Sequence, residues 1–284
     1  ASDVYKRQAG FAMRNASGKK VLSLHGIYSE QIAELHGSLS SKISKKYEND
    51  ALNMADAITT ISKVAYNHYS KMGFNVVQIP HAIDLNHIPQ KTIKKFENQI
   101  IFAGRLSKEK GIDNMLQAAK SLPPKYHLLI LGSGPEEKKV QKIANEKTNV
   151  HYLGYQSKQN TISLIRGSDL LIQPSLVEGM SSTLLEAMGC STCIIATNVG
   201  GNSEIIENNK TGILIEPNNS EKLLDKISNL LVKKEKRINL ATEARKSVEK
   251  YNWKRVGQLY LCLLYTSDAA DEGLGVDLGG RRII

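Results

Sequence analysis

The chain has 284 residues, of which 41% are hydrophobic and 23% are charged. This is the composition of an ordinary soluble protein, and the length allows two domains or one and a half. The sequence has no apolar run long enough to cross a membrane and no signal-peptide pattern, and its three cysteines suggest no disulfide framework. We therefore expect a cytoplasmic protein.

The formal net charge of +10 comes mainly from lysines spread over predicted helix surfaces. No nucleic-acid-binding motif accompanies this charge, so nucleic acid is not expected as a partner. Two interpretations stay open. The lysines either form an ordinary solvated surface or attach the protein peripherally to an anionic membrane surface, on the inner face of the membrane.

Both ends of the chain resemble translated sequencing adapter. Asp3–Gln8 can be encoded by a short DNA string whose reverse complement, shifted by one base, encodes Cys262–Ser267. That string resembles a transposon end used in sequencing libraries. We therefore predict that residues 1–8 and 262–284 are artefact, with a natural polar tail as the alternative.

Residues 9–85 show an incomplete α/β pattern. An apolar run at Val21–Leu24 ends just before His25, and two further stretches, 55–61 and 76–80, flank a predicted helix. A doubly wound domain needs roughly 100–150 residues. We therefore expect only the C-terminal part of such a domain here, joined by a linker at 86–98 to the next one.

From residue 99 to residue 250, short apolar strands alternate with helices. The predicted strands are Ile100–Ala103, His127–Leu131, Val150–Leu153, Leu170–Gln173, Cys193–Thr197 and Gly212–Ile215. Such alternation is typical of parallel βαβ units. The predicted fold class is therefore α/β, with a Rossmann-like, doubly wound domain over residues 99–250.

A basic turn, Gly104–Gly111, follows the first of these strands and precedes a helix. Open α/β sheets bind ligands at the carboxyl ends of their strands. Arg105 offers a planar fork of donors and Lys110 offers a point charge beside a helix N-terminus, and together they suit a diphosphate. The alternative is an ordinary solvated turn.

The stretch PSLVEGMSSTLLEAMG, residues 174–189, follows another strand at the same predicted edge. Ser175 lies at the strand end, and Gly179 allows a ligand to approach the backbone closely. Residues 180–183, which are Met180, Ser181, Ser182 and Thr183, would present backbone N–H groups to a phosphate where the next helix begins.

Two glutamates frame this turn, eight positions apart. Glu186, early in the helix, could accept both hydroxyls of a ribose, and Glu178 would stand near whatever the diphosphate carries. Each has an ordinary alternative: Glu186 could form a capping box with Thr183, and Glu178 could be a simple loop carboxylate. Spacing alone leaves the two interpretations balanced.

Five motifs in order, GRLSKEKG, LLILGSGPE, YLGY, PSLVEGMSSTLLEAMG and ATNVGGNSEII, carry a family resemblance. They resemble the donor-binding half of the GT-B-fold retaining glycosyltransferases of family 4, also called glycosyl transferases group 1. The paired glutamates match that family's E-x7-E motif. The resemblance covers about residues 20–261 and implies a GT-B fold of two Rossmann-like domains, of which the first is incomplete here.

The resemblance implies an enzyme that moves a sugar, with retention, from a nucleotide-sugar donor to a saccharide or lipid-linked acceptor. The donor would be a UDP- or GDP-sugar, and neither a metal nor another cofactor would be needed. Glu178 and His25 would be the catalytic residues, both contacting the donor sugar.

The remaining implied roles concern donor binding. Arg105 and Lys110 would bind the diphosphate, Glu186 the ribose, and Gly154 and Tyr155 would lie beside the base. Ser175 and the turn 179–183 would cradle the sugar and the phosphates. Trp253 resembles the start of the closing helix, expected at 251–261, that crosses back to the first domain.

The sequence departs from the family pattern at Ser181, Cys193 and His81-Ala82, and none of these departures removes a charged catalytic group. Cys190 and Cys193 form a lone C-x-x-C pair, which we expect to be ordinary buried side chains. Two other functions stay open: a nucleotide-sugar epimerase on the same fold, and a fragment that binds the donor without turnover.

Overall fold

The structure is a computed structural model that describes residue 18, residues 20–27 and residues 45–269, with side chains to residue 265. The chain divides into two compact units. The first contains residues up to Ala82 together with those from Trp253 onward, and the second is Ile83–Asn252. Of the predicted adapter segments, residues 1–8 and 270–284 lie outside the described residues.

The first unit holds a parallel sheet of three described strands, in the order β1 (Val21–Leu24), β2 (Ala57–Thr60) and β3 (Val76–Gln78). Helix α1 (Lys63–Lys71) connects β2 to β3 and begins at Ser62, whose side chain accepts a hydrogen bond from the Ala65 N–H. This arrangement is the βαβ unit predicted from the sequence.

The second unit is built on six parallel strands, in the spatial order β6-β5-β4-β7-β8-β9. Their bounds are β4 Gln99–Ala103, β5 His127–Leu131, β6 Val150–Gly154, β7 Leu170–Gln173, β8 Cys193–Thr197 and β9 Ile213–Ile215. The helices are α2 Ile112–Lys120, α3 Glu137–Glu146, α4 Lys158–Arg166, α5 Ser182–Gly189, α6 Asn202–Ile205, α7 Ser220–Val232 and α8 Lys234–Ser247, followed in the first unit by α9 Trp253–Ala269. This is the doubly wound order of the Rossmann fold, so the fold class is confirmed.

The strand sequences explain why the sheet is buried on both faces. Strand β7 reads LLIQ and is fully buried, and β8 reads CIIAT and is fully buried. Parallel strands covered by helices on both sides need such continuous apolar runs rather than alternation. The core extends from these strands to Leu116 of α2 and Leu230 of α7.

The order of the strands creates a switch point between β4 and β7. The chain leaves β4 toward β5 on one side, and later units leave β7 toward β8 on the other. Loops on either side of a switch point diverge, so the carboxyl ends of these two strands leave a crevice between them. Both motifs singled out in the sequence, the basic turn and the glutamate-framed stretch, begin at these two strand ends.

The segment predicted as a linker, residues 86–98, is grouped with the second unit. The Ile93 N–H donates to the Ser163 carbonyl at 2.9 Å. A Cβ added to Gly167 would lie 2.1 Å from the Ile93 carbonyl oxygen, so the segment packs directly on α4. Lys94 also pairs with Asp169 at 2.9 Å, which ties the segment to the start of β7.

The last helix differs from the expected closing helix at 251–261. It begins at Trp253 and continues to Ala269, through residues assigned to the adapter. The 3-10 turn Val248–Tyr251 precedes it. In the described part of the chain, no helix has the length and apolar character needed to span a membrane.

The cysteines behave as ordinary side chains. Cys190 and Cys193 are buried, and burial raises the pKa of their thiols to about 11 and about 12. Cys262, on α9, is exposed. The expectation of two small buried side chains in the C-x-x-C pair is therefore confirmed.

Candidate active site

A cavity of about 110 Å³ lies at the carboxyl ends of β4 and β7. Its walls come from Phe102–Gly104, from Lys110, and from Gln173, Glu178 and Met180–Thr183. Lys110 of the basic turn and Glu178 with Met180–Thr183 of the glutamate-framed stretch thus meet at the switch point.

Two glycines clamp the loop that carries Glu178. Gly111 has φ of +68°, and a Cβ there would lie 1.8 Å from the Pro174 carbonyl oxygen. Gly200 has φ of +51°, and a Cβ there would lie 1.6 Å from the Glu178 carbonyl oxygen. Only glycine allows both the left-handed backbone and this close approach, so the loop is held backbone to backbone on two sides.

Further backbone hydrogen bonds fix the same loop. The Leu176 N–H donates to the Glu109 carbonyl at 2.8 Å, and the Gly201 N–H donates to the Gly179 carbonyl at 2.7 Å. From beneath, the Thr197 hydroxyl of β8 donates to the Ser175 carbonyl at 2.5 Å. A loop fixed in this way presents its side chains in a defined geometry before any ligand arrives.

The Glu178 carboxylate lies at the centre of a hydrogen-bonded network. The Lys110 ammonium approaches its two oxygens at 2.9 and 2.7 Å. The Gln173 amide donates to Oε2 at 2.8 Å, and the Ser175 hydroxyl donates to the same oxygen at 3.1 Å. Since the Glu178 side chain is only 10% exposed, it is not a solvated loop carboxylate.

The two oxygens of Glu178 are not equivalent. Among the described residues, Oε2 has three donors, from Lys110, Gln173 and Ser175, whereas Oε1 has only Lys110. A carboxylate oxygen can accept about two hydrogen bonds. Oε1 is therefore the oxygen with acceptor capacity left for a ligand.

Helix α5 begins beside this network. Its N-cap is Ser181, whose hydroxyl accepts from the Leu184 N–H at 3.4 Å and donates to the Gln173 side-chain oxygen at 2.8 Å. The first-turn N–H groups of a helix have no intrahelical acceptors, and Ser182 and Thr183 of that turn line the cavity. The alternative capping box of Thr183 and Glu186 is wrong, because the cap lies two residues earlier.

Glu186 is the fifth residue of the eight-residue helix α5, and its side chain is 18% exposed. Burial raises the pKa of this carboxyl, while Lys158, whose ammonium is 3.7 Å from Oε1, acts in the opposite direction. Lys158 opens α4, just after the end of β6. Glu186 is thus a poorly solvated acceptor that a pair of hydroxyl donors could satisfy.

The remaining predicted donor contacts lie at two strand ends. Arg105 follows β4 and is exposed, and it does not line the cavity. Gly154 ends β6 with φ of +65°, and its carbonyl accepts from the Gly132 N–H at 2.8 Å. Tyr155, the next residue, is 79% exposed.

His25 belongs to the first unit. It directly follows β1, and its ring centroid lies 5.0 Å from that of His81. Its predicted contact with a donor sugar stays a prediction. Across the described residues, no three His, Cys, Asp or Glu side chains form a group that could hold a metal ion.

Gln173 is a site residue that the sequence analysis missed. It was assigned only as the last residue of a buried strand. A signal was available: β7 is LLIQ, and a fully buried amide at the end of an apolar strand must find polar partners. Those partners are Glu178 and Ser181.

Comparison with known proteins identifies the family. Residues 84–247 match the family model described as Glycosyl transferases group 1. The chain belongs to this family. The match covers all six strands of the second unit and all predicted donor-side residues, whereas His25 lies outside it.

Several curated relatives share most of the chain. The uncharacterized glycosyltransferase MJ1069 of Methanocaldococcus jannaschii is 27% identical over 268 residues, which are 87% of this chain and 68% of that protein. MJ1178 of the same organism is 29% identical over 240 residues, 83% of this chain and 65% of that protein. The N,N'-diacetylbacillosaminyl-diphospho-undecaprenol alpha-1,3-N-acetylgalactosaminyltransferase of Campylobacter jejuni is 28% identical over 165 residues, covering 58% of this chain and 43% of that protein. The chain thus spans about two thirds of the length of the first two.

Solved structures show the same fold. The crystal structure of Anabaena HepE in complex with UDP-glucose matches with a TM-score of 0.78 at 21% identity, over 90% of this chain and 75% of that one. Sucrose-phosphate synthase from Thermosynechococcus elongatus matches with a TM-score of 0.78 at 20% identity, over 92% and 72%. This likeness confirms the predicted GT-B fold class.

Proposed function

We propose that the protein is a retaining glycosyltransferase of the hexosyltransferase type. It would transfer a sugar from a nucleotide-sugar donor to a saccharide or lipid-linked acceptor. The observation that carries this proposal is the convergence of Lys110, Glu178 and the start of α5 on one cavity at the switch point. That cavity offers a cation, a carboxylate and helix N–H groups within a few ångströms, which suits a sugar joined to a diphosphate.

The diphosphate has the clearest set of partners. When the sugar leaves, negative charge develops on the nucleoside diphosphate, and catalysis requires groups already placed to stabilise it. Lys110, Arg105 and the first-turn N–H groups of α5 would supply that stabilisation. The Lys110 ammonium would then be shared between the phosphates and Glu178, which it contacts in this structure.

Glu178 would orient the donor sugar. Oε1 retains acceptor capacity, so it can accept a sugar hydroxyl while Oε2 stays fixed by Gln173 and Ser175. Retention is proposed on the family resemblance, together with a donor-sugar contact from His25. Determination of the product anomer by NMR would test retention.

The nucleoside would lie toward β6. Glu186 would accept the ribose hydroxyls, and Gly154 and Tyr155 would lie beside the base. The exposed ring of Tyr155 is available for such a contact.

We propose that neither a metal nor another cofactor is used, and that the basic surface attaches the protein to an anionic membrane. The name of the Campylobacter jejuni relative, an N-acetylgalactosaminyltransferase that acts on a diphospho-undecaprenol-linked sugar, supports a lipid-linked acceptor.

A donor panel tests the proposal directly. Binding of UDP-, GDP- and ADP-sugars to the full chain would be measured by calorimetry, with and without EDTA. One nucleotide series should bind, and EDTA should not change its affinity. Failure of all three series to bind would refute the proposed function.

The same panel separates transfer from the two other functions. Incubation with donor alone should leave the sugar configuration unchanged, whereas an epimerase would convert it. Incubation with donor and saccharide or lipid-linked acceptors should yield product. Tight donor binding without any product would favour the donor-binding fragment.

A further inference from the structure

We propose that Gln173 is a positioning residue that fixes the orientation of the Glu178 carboxylate and couples it to the N-cap of α5. This inference rests on the proposed function, because the carboxylate it positions is the proposed contact to the donor sugar. The Gln173 amide, at the last position of β7, contacts both the Glu178 carboxylate and the Ser181 hydroxyl.

Both ends of the Gln173 amide are engaged. Its nitrogen donates to Glu178 Oε2 at 2.8 Å, and its oxygen accepts from the Ser181 hydroxyl at 2.8 Å. The two partners differ in kind, a carboxylate and a hydroxyl, so the amide can adopt only one orientation. Gln173 therefore fixes which of the Glu178 oxygens is occupied and which faces the ligand.

The network continues from Gln173 into the helix. Ser181 donates to Gln173 and accepts from the Leu184 N–H, which fixes the direction of the serine hydroxyl. The cap of α5 and the Glu178 carboxylate are thus held by one side chain that is 5% exposed. A sugar hydroxyl and a phosphate bound at these two places would be positioned relative to one another by Gln173.

Lys110 alone cannot replace this function. It contacts both oxygens of Glu178, so it does not by itself hold one oxygen and leave the other toward the ligand. A lysine ammonium is also a flexible point charge rather than a directional donor. Gln173 and Ser175 both select Oε2, and Gln173 is the one also bonded to the helix cap.

The test compares sugar-dependent with sugar-independent binding. Two ligands would be titrated into the full-length wild type and Gln173→Leu. One is whichever of UDP, GDP and ADP binds most tightly, and the other is the glucose conjugate of that nucleotide. Gln117→Leu, an exposed glutamine on α2, is the matched control. We expect Gln173→Leu to weaken the affinity for the conjugate about ten-fold, because one charged hydrogen bond is lost. The affinity for the free nucleotide should change less than about two-fold.

A second variant separates positioning from folding. In Gln173→Glu the introduced carboxyl faces Glu178, so the pair should share a proton at acidic pH and repel at neutral pH. Affinity for the conjugate, relative to the free nucleotide, should then recover toward the wild-type value as the pH falls. Gln173→Leu should show no such recovery.

The outcomes are distinguishable. Equal weakening of nucleotide and conjugate by Gln173→Leu, or no change in either, would overturn the positioning role. Absence of acid recovery in Gln173→Glu would overturn it as well. Wild type that binds no nucleotide at all would refute the proposed function itself, and the role of Gln173 with it.

Discussion

The ion pair of Lys110 and Glu178 should stabilise the unliganded second unit measurably. Its members are 25% and 10% exposed, and the ammonium lies 2.7 Å from Oε2. At an effective dielectric constant of about 20, the gross Coulomb energy at this separation is about 6 kcal/mol. Desolvation of both groups offsets most of it, so we expect a net coupling of about 2 kcal/mol, within the range for charged hydrogen bonds.

A double-mutant cycle measures that coupling. The free energy of unfolding in urea would be compared for wild type, Lys110→Met, Glu178→Gln and the double variant. Lys110→Met alone should cost about 3 kcal/mol, because it leaves Glu178 buried without its cation. The double variant should cost about 2 kcal/mol less than the sum of the two single-variant costs.

A surface ion pair of the same length serves as control. Lys139 lies 2.7 Å from Asp113, but these side chains are 49% and 63% exposed. The equivalent cycle there should give less than about 1 kcal/mol. If the Lys110–Glu178 coupling is no larger than this control, the claim that burial gives the pair its energy is refuted.

The same double-mutant cycle can be repeated in the presence of nucleotide. A bound diphosphate offers Lys110 another anion, so the Lys110–Glu178 coupling should fall when a saturating nucleoside diphosphate is present. An unchanged coupling would show that the phosphates do not reach Lys110.

Three further predictions concern single variants. Arg105→Ala should remove most of the affinity difference between a nucleoside and its diphosphate in calorimetry, and an unchanged difference would make Arg105 a solvated turn residue. Because burial raises the pKa of Glu186 in the folded state, its contribution to stability should decline as pH rises from about 4 toward neutral. In urea unfolding at several pH values, Glu186→Gln should remove that part of the pH dependence. It should also weaken the binding of ribonucleotides but not of their 2′,3′-dideoxy analogues. Equal weakening of both would refute the ribose contact. Gly111→Ala should destabilise the second unit by about 2–4 kcal/mol, since its Cβ would lie 1.8 Å from the Pro174 carbonyl in a left-handed backbone. Gly257→Ala, inside helix α9 with nothing within 4 Å of an added Cβ, should not lower the urea midpoint, because alanine is a better helix former than glycine. A similar loss of stability in both variants would contradict the clamp.

Much of the fold could be predicted because parallel strands leave a strong signal. The inner strands of the second unit are short, mostly apolar runs, as in HLLIL and CIIAT, bounded by turn residues. Helix α8 was missed because its sequence, KEKRINLATEARKS, contains few apolar residues. It buries only Leu240, Ala241 and Ala244, so tertiary contacts rather than pattern define it.

The sequence predicted where the site lies but not which of its side chains bond to one another. Strand ends and family motifs located Lys110 and Glu178, yet nothing in the sequence showed that they pair with one another across 68 positions. The same holds for Gln173, whose partners depend on the geometry of two loops. The true N-cap, Ser181, could not be distinguished from Thr183 by spacing, since both are hydroxyl residues before an apolar run.

The contrast between the three cysteines has a practical consequence. Two thiols are buried with pKa values raised to about 11 and about 12, so almost no reactive thiolate exists on them at neutral pH. Cys262 is exposed, and the sequence contains no other cysteine. A maleimide dye should therefore label the native protein at a single position, on α9, without the removal of any cysteine.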